Sequence, residues 1–240
     1  MKIYTWGSYY IIWIFHVVFG LSMISMLIVI FVSPGKIPDS FSIDTIPETQ
    51  KIKHPDDIIP KFYLLGRIGY CTNCKKDRPH RAHHCKRCKT CILRYDHHCH
   101  FLNNCIGLKN HKAFILFLFY LGMSSLICAF HIGTIIIQQY FEWKILFFMI
   151  IYAVISILSL GFGLIHGINV CLNYTGLEQK WKISELFDQG LGENFKQVFG
   201  DAYLLWPIPI DTSKVSGLLF PMKIKTIDEP KFIQIDKYLI

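Results

Sequence analysis

The chain has 240 residues, 52% of them hydrophobic and 18% charged, with a formal net charge of +8. Together with a positive mean hydropathy, that composition excludes an ordinary soluble domain of this length and directs attention to membrane spans.

After a short N-terminal segment, 1–8, residues 9–32 run for 24 positions without Asp, Glu, Lys or Arg. At about 1.5 Å per residue this run exceeds the roughly 30 Å hydrocarbon core of a bilayer. It is longer than the core of a secretory signal, and Ser33-Pro34-Gly35 follows it in place of a small-residue cleavage site, so a transmembrane helix is predicted. Two further uncharged runs, 113–137 and 145–172, have 25 and 28 residues and are predicted to cross as well. Each run holds one histidine, His16, His131 or His166, read as a neutral imidazole near the interface or bonded to a neighbouring helix.

Between the first run and the first cysteine, 33–70 is polar and proline-bearing and reads as an extended connector. The segment 67–112 then carries 11 Lys and Arg against Asp77 and Asp96, more surplus charge than the whole chain, whereas the loop 138–144 carries only Glu142 and Lys144. By the positive-inside rule the basic segment, 33–112 with its connector, is cytosolic. Three crossings put 1–8 and 138–144 on the far side and the tail 173–240 in the cytosol. The surplus positive charge of the segment would be drawn to anionic headgroups of the lipid bilayer. In the tail, Thr175-Gly176-Leu177-Glu178 has the spacing of a helix capping box, and a second short helix is predicted over 194–199 with Gly200 as its stop.

Seven of the nine cysteines crowd into the basic segment, where cytosolic reduction favours metal binding or catalysis over disulfides. Set against itself, the segment repeats with an offset of fourteen. Cys71-x2-Cys74-x9-His84-x6-Cys91 has the same spacing as Cys85-x2-Cys88-x9-His98-x6-Cys105. Each copy supplies three thiols and one imidazole, the donor set of a structural tetrahedral zinc, so two zinc ions are predicted. Cys99 stands where a third copy would begin, but Leu102 occupies the place of its second cysteine, so Cys99 lies outside both metal sets. Its neighbours Asp96 and His97 fit an orienting carboxylate and a base for a nucleophilic thiol, and Arg94 with the surrounding lysines would favour the thiolate.

These residues carry a resemblance. The stretch from Cys71 to Cys105, with Asp96-His97-His98-Cys99 and Asn103-Asn104-Cys105-Ile106-Gly107, closely resembles the cysteine-rich domain of DHHC-type protein palmitoyltransferases. Arg78-Pro79-His80-Arg81-Ala82-His83-His84-Cys85 before it and residues 110–114 after it extend the match. Ser33-Pro34-Gly35 looks like the family's Asp-Pro-Gly element, Thr175 to Glu178 sits where the family has Thr-Thr-x-Glu, and 187–200 is similar to its C-terminal motif, with Asn194 at the characteristic Asn. The likeness covers about 33–200. His100-Phe101 stands where the family usually has Pro-Trp, Ser33 where it has Asp, and Gly176 where it has a second Thr. Most members have four spans; if Ser33-Pro34-Gly35 marks the end of the second, the family's first has no counterpart in this sequence.

The uncharged runs and the resemblance together predict an all-α integral membrane protein with three transmembrane helices and a cytosolic two-zinc domain of short irregular and hairpin elements. It implies a protein S-acyltransferase that takes palmitate from palmitoyl-CoA onto Cys99 and passes it to membrane-associated protein substrates with cytosolic cysteines, in the endoplasmic reticulum or Golgi membrane. Acyl-CoA phosphates would meet the basic face formed by Lys75, Lys76, Arg78, Arg81, Lys86, Arg87 and Lys89. Nucleic-acid binding, the competing use of a basic zinc segment, is not expected where both ends are tied to membrane spans. A membrane scaffold that keeps the zinc fold without transfer is the other alternative.

Overall fold

The computed structural model describes residues 6–42, 44, 69–138, 142–181, 187–213 and 215–221. The predicted connector therefore lies largely outside the described residues, as does the stretch 182–186 after the first tail helix.

Three long helices form where the uncharged runs occur: α1 (Trp6–Phe31), α2 (His111–Gln138) and α3 (Trp143–Cys171). Each contains a stretch long and apolar enough to cross a membrane, which fits a membrane protein. Helices α2 and α3 begin two residues earlier than the uncharged runs, because His111, Lys112, Trp143 and Lys144 join the first turns. Half of the α2 span is buried, against 17% for α1 and 11% for α3, so α2 is the central helix and its neighbours turn apolar side chains such as Trp13, Ile157 and Leu164 outward. That is the arrangement expected where lipid, not water, covers the outer face.

Helix contact in an apolar medium depends on close packing at small residues. Gly122 shows this: a Cβ there would lie 2.6 Å from Leu160 Cγ, so α3 reaches α2 only because position 122 has no side chain. Ser22 and Ser25 of α1 are fully buried, and Ser25 returns its hydroxyl proton to the Leu21 carbonyl at 2.7 Å.

Between α1 and α2 the chain builds three antiparallel two-stranded hairpins: β1 (Gly69–Cys71) with β2 (Lys76–Arg78), β3 (His83–Cys85) with β4 (Thr90–Ile92), and β5 (His97–Cys99) with β6 (Asn104–Ile106). After α3 come a short helix α4 (Gly176–Trp181), then α5 (Leu191–Phe199) and a single 3-10 turn (Tyr203–Leu205). The capping box predicted at Thr175 forms: Glu178 N–H donates to Thr175 Oγ1 at 3.3 Å, and Thr175 N–H to Glu178 Oε2 at 2.9 Å. Helix α5 starts three residues before the predicted 194 and stops, as expected, at Gly200, whose φ of 75° suits glycine.

The hairpins are tied to the helices by named bonds. Asn104 Nδ2 donates to the carbonyls of Val29, Ile30 and Val32, using acceptors that the end of α1 leaves without helical partners. Gly35 C=O accepts from Leu93 N–H at 2.9 Å and Pro34 C=O from Lys109 N–H at 3.1 Å, which joins the Ser33-Pro34-Gly35 element to both flanks of the third hairpin. Gly107 cannot carry a side chain in this junction, since a Cβ would meet Ile92 Cγ2 at 2.5 Å and Pro34 O at 2.8 Å. The tail closes the far side: Lys112 Nζ donates to Leu205 O and Thr212 Oγ1, and Asn194 Nδ2 to Cys171 O at 2.8 Å.

Candidate active site

The fourteen-residue offset seen in the ligands is an offset of whole hairpins. Gly69 pairs with Arg78, His83 with Ile92 and His97 with Ile106, so each hairpin starts fourteen residues after the last. The turns repeat too: Lys75, Lys89 and Asn103 occupy the left-handed region with φ of 52°, 52° and 48°. Cys71, Cys85 and Cys99 thus hold the same place at the end of the first strand of three equivalent turns.

In the first two turns this place is part of a four-donor cluster. Around His84 Nδ1 stand the Sγ atoms of Cys71, Cys74 and Cys91 at 3.7, 3.2 and 3.9 Å, and around His98 Nδ1 those of Cys85, Cys88 and Cys105 at 3.6, 3.4 and 3.6 Å. Two donors on one tetrahedral zinc, with bonds of about 2.3 Å to sulfur and 2.0–2.1 Å to nitrogen, are separated by roughly 3.6 Å, so both clusters fit that ion. Burial and the neighbouring thiols push Cys91 and Cys105 up from the ordinary thiol range, which means that such a cluster does not ionise fully unless a cation lies among the sulfurs. The eight donors fall into the two interleaved groups that the sequence spacing gives.

The third turn departs from the pattern. Leu102 replaces the second cysteine and packs, buried, with Cys99, Ile106, Ala113, Phe114 and Val29 at the end of α1. Cys99 is therefore absent from both donor groups among the described residues. It keeps what the turn offers a thiolate. Burial opposes its charge, yet the His97 imidazole and the backbone N–H groups of Leu102 and Phe101 together hold the thiol below its ordinary value.

His97 and Asp96 supply the rest. Asp96 is buried on the segment entering β5, and its Oδ2 accepts from His97 Nδ1 at 2.7 Å, which leaves Nε2 of the ring for the thiol. Burial would raise the Asp96 carboxyl, but the His97 bond together with the fields of His111, His166 and His97 outweighs it and keeps the group well below the usual carboxylate range. Burial likewise opposes charge on His97, and the bonds to Asp96 and Cys99 overcome it, pushing the imidazole up to about 9. Both directions favour a thiolate beside an imidazolium.

Several contributors are invisible in the linear sequence. Gly176 N–H, the first residue of α4, donates to Asp96 Oδ1 at 2.8 Å, and a Cβ on Gly176 would lie 3.3 Å from Asp96 Oδ2. His166, predicted as an ordinary imidazole within a span, is buried beside the site with Nδ1 4.0 Å from Asp96 Oδ2. His16, by contrast, bonds the Ile12 carbonyl of its own helix, where a bond to a neighbouring helix is one expectation. An open groove beside the site is lined by Asp96, His97 and His166 together with apolar Phe162, Ile165 and Leu177.

One basic residue leaves the expected face, and a second, Arg94, is buried away from solvent. Arg81 is buried against Glu178, which it grips through Nε and Nη2 at 2.7 Å each, and against Asn173, so it is not part of a face for phosphates. Arg94 is fully buried, donating to His111 Nδ1 at 2.8 Å. Its guanidinium is engaged by His111 and Asn173, and it is not among the groups that hold the Cys99 thiol down. Of the other basic residues, Lys76 pairs with Asp39.

A family model described as DHHC palmitoyltransferase matches residues 66–182. A probable protein S-acyltransferase 12 of Arabidopsis thaliana is 28% identical over 246 residues, which cover 88% of this chain and 79% of that protein. Palmitoyltransferase ZDHHC15A of Danio rerio is 30% identical over 243 residues, covering 87% and 73%. Palmitoyltransferase ZDHHC2 of Rattus norvegicus is 37% identical over 179 residues, covering 66% and 47%.

Proposed function

The chain belongs to the DHHC palmitoyltransferase family and is a protein-cysteine S-palmitoyltransferase, and from that premise we propose that it carries the acyl group as a thioester on Cys99. The donor is a long-chain acyl-CoA, palmitoyl-CoA foremost, and the acceptors are cytosolic cysteines of membrane-associated proteins. The observation that carries this reading is the third hairpin: a turn built like two metal-binding turns, holding a thiol outside both donor groups beside a histidine bonded to a buried carboxylate.

In the first half-reaction the Cys99 thiolate attacks the acyl carbonyl carbon, the bond from that carbon to the CoA sulfur breaks, and the CoA thiolate takes the proton from His97. In the second, His97 Nε2 accepts the proton of an acceptor thiol, that sulfur attacks the Cys99 thioester, and Cys99 leaves as the thiolate beside a recharged imidazole. Asp96 orients the ring throughout and keeps its Nδ1 protonated. The eight remaining donors, Cys71, Cys74, His84 and Cys91 with Cys85, Cys88, His98 and Cys105, hold two zinc ions whose role is structural: they brace the turns that fix the height of Cys99 against α1 and α2.

The hairpins and the tail face the cytosol, with 1–8 and 138–144 on the opposite side, in an endoplasmic reticulum or Golgi membrane. The groove lined by Phe162, Ile165 and Leu177 gives an apolar path to His97 from the lipid side of α3. Acyl-CoA phosphates meet the basic residues that stay accessible, Lys75, Lys86, Arg87 and Lys89 among them.

Incubation of purified protein with labelled palmitoyl-CoA tests the reading. Hydroxylamine-labile label is expected on the unmutated chain and none in Cys99→Ser. Equal label in Cys99→Ser would defeat the acyl-enzyme, and a zinc-replete chain that takes no label would favour the scaffold alternative.

A further inference from the structure

His166 is a polar ring near the end of an apolar span, and the two half-reactions above do not use it. It is nine-tenths buried, and its Nδ1 makes no hydrogen bond among the described residues. A polar nitrogen without a partner is unfavourable in such a setting, so a residue there needs a reason that leucine would not satisfy. Among the described residues the carboxylate facing that atom is Asp96, with Oδ2 at 4.0 Å.

We propose that His166 is a positioning residue for acyl transfer, presenting Nδ1–H to Asp96 Oδ2 and so holding the carboxylate that orients His97. The inference rests on the roles given above to Cys99, His97 and Asp96. Asp96 Oδ1 is fixed by Gly176 N–H, whereas Oδ2 has one donor, His97, and lone-pair capacity for a second. An imidazole nitrogen that faces a carboxylate presents its N–H, because two lone pairs repel. The ring is set to do so. Phe114 meets His166 edge to face at 5.0 Å and His97 at 5.3 Å, and the two imidazoles lie 5.7 Å apart, so the three rings pack against one another. On another side His111 meets His166 at 5.8 Å and 88°; its Nδ1 is occupied by Arg94 as an acceptor, which makes His111 the neutral Nε2–H form. Catalytic hydrogen bonds that are long without substrate commonly tighten when it binds, and closing 4.0 Å to bonding distance takes a shift of about 1 Å.

Asp96, His97 and His166 also offer three ligand atoms within 4.8 Å, which raises a metal as the competing use. The 2.7 Å between Asp96 Oδ2 and His97 Nδ1 argues against it: two such donors on one zinc stand about 3.4 Å apart, and 2.7 Å is the length of a charge-assisted hydrogen bond.

The test compares His166→Leu with His166→Asn, whose amide N–H sits near the place of Nδ1, in the purified full chain with labelled palmitoyl-CoA. Misplacement near 1 Å at a reacting pair lowers rates by up to about a hundredfold. His166→Leu is expected to lose at least about tenfold in the rate of acylation and turnover with the KM for acyl-CoA nearly unchanged, and His166→Asn to recover most of it, both retaining two zinc per chain. A zinc-replete His166→Leu at the unmutated rate overturns the proposal, as does an Asn variant no better than Leu. If the Leu variant does not fold, His166→Gln, which moves the amide one bond further, replaces it and must fall below Asn. Cys99-dependent label on the unmutated chain separates the two claims: without it the acyl-enzyme reading fails and this one with it, while with it a null His166→Leu result overturns this one alone.

Discussion

Removing the Glu178 carboxylate should unfold the junction between the hairpins and the tail. Arg81 is fully buried, held by Glu178 through two bonds and by Asn173 through Oδ1 and the main-chain carbonyl at 2.9 and 2.8 Å, with Phe187 and Phe220 at 4.5 and 4.8 Å from its guanidinium. Glu178→Ala leaves that cation with neutral partners only. Breaking a buried pair on one side costs about 3–5 kcal/mol. At roughly 2–4 °C per kcal/mol for a chain of this size, the melting temperature should fall by about 6–20 °C. The assay is a thermal scan of detergent-solubilised protein with zinc content measured in parallel. Arg81→Met combined with Glu178→Leu, which leaves no orphan charge, should melt closer to the unmutated protein than either single variant does. The pH dependence has a definite sign. Burial raises the Glu178 carboxyl, but Arg81 outweighs it and the group titrates below its ordinary value. Its contribution is therefore fully present above the unfolded value of about 4.3 and drains away as pH falls through the lower folded one, so unmutated and Glu178→Ala proteins should converge only in acid. A Glu178→Ala melt within about 2 °C of the unmutated protein, or a double variant as unstable as both singles added, would refute the reasoning.

Other sites give separable outcomes. Metal analysis should return two zinc per chain, and Cys88→Ala, which breaks a group worth about 10–16 kcal/mol in small zinc modules, should release metal and unfold the hairpins rather than only slow the chemistry. Asn104→Leu removes the donor to the end of α1; losing such bonds costs about 1–3 kcal/mol, and acylation should slow with both zinc ions retained, as measured by label and metal content in one sample. Gly107→Ala drives a methyl group against Ile92 and the Pro34 carbonyl, and should destabilise by about 1–3 kcal/mol in the same thermal scan.

What could be read from the sequence was local in origin. The spans follow from uncharged length, and the two donor groups from a spacing that a fourteen-residue hairpin imposes; in both the deciding residues are close along the chain. The identity of Cys99 as the thiol outside the metal groups came from the same count, since Leu102 breaks the third turn. What was hidden depends on pairings across the chain. Arg81 looked like a surface cation until Glu178, 97 residues away, removed it from the surface. Gly176 looked like a departure from a threonine motif, yet its backbone N–H is what touches Asp96, 80 positions earlier, and any residue other than proline supplies that group. His166 looked like one of three similar histidines. Nothing in the sequence around it separates it from His16, because the difference is whether the ring faces its own helix or a carboxylate from another segment.

The central claim is that acyl transfer passes through the sulfur of Cys99. Single-turnover mixing with labelled palmitoyl-CoA, followed by a cysteine peptide and peptide mass spectrometry at successive times, tests it most directly. Acyl mass should appear on the peptide containing Cys99 before any reaches the acceptor, then decline as the acceptor gains it. Acceptor acylation with no acyl group on Cys99 at any time, or at an undiminished rate in Cys99→Ser, would contradict it.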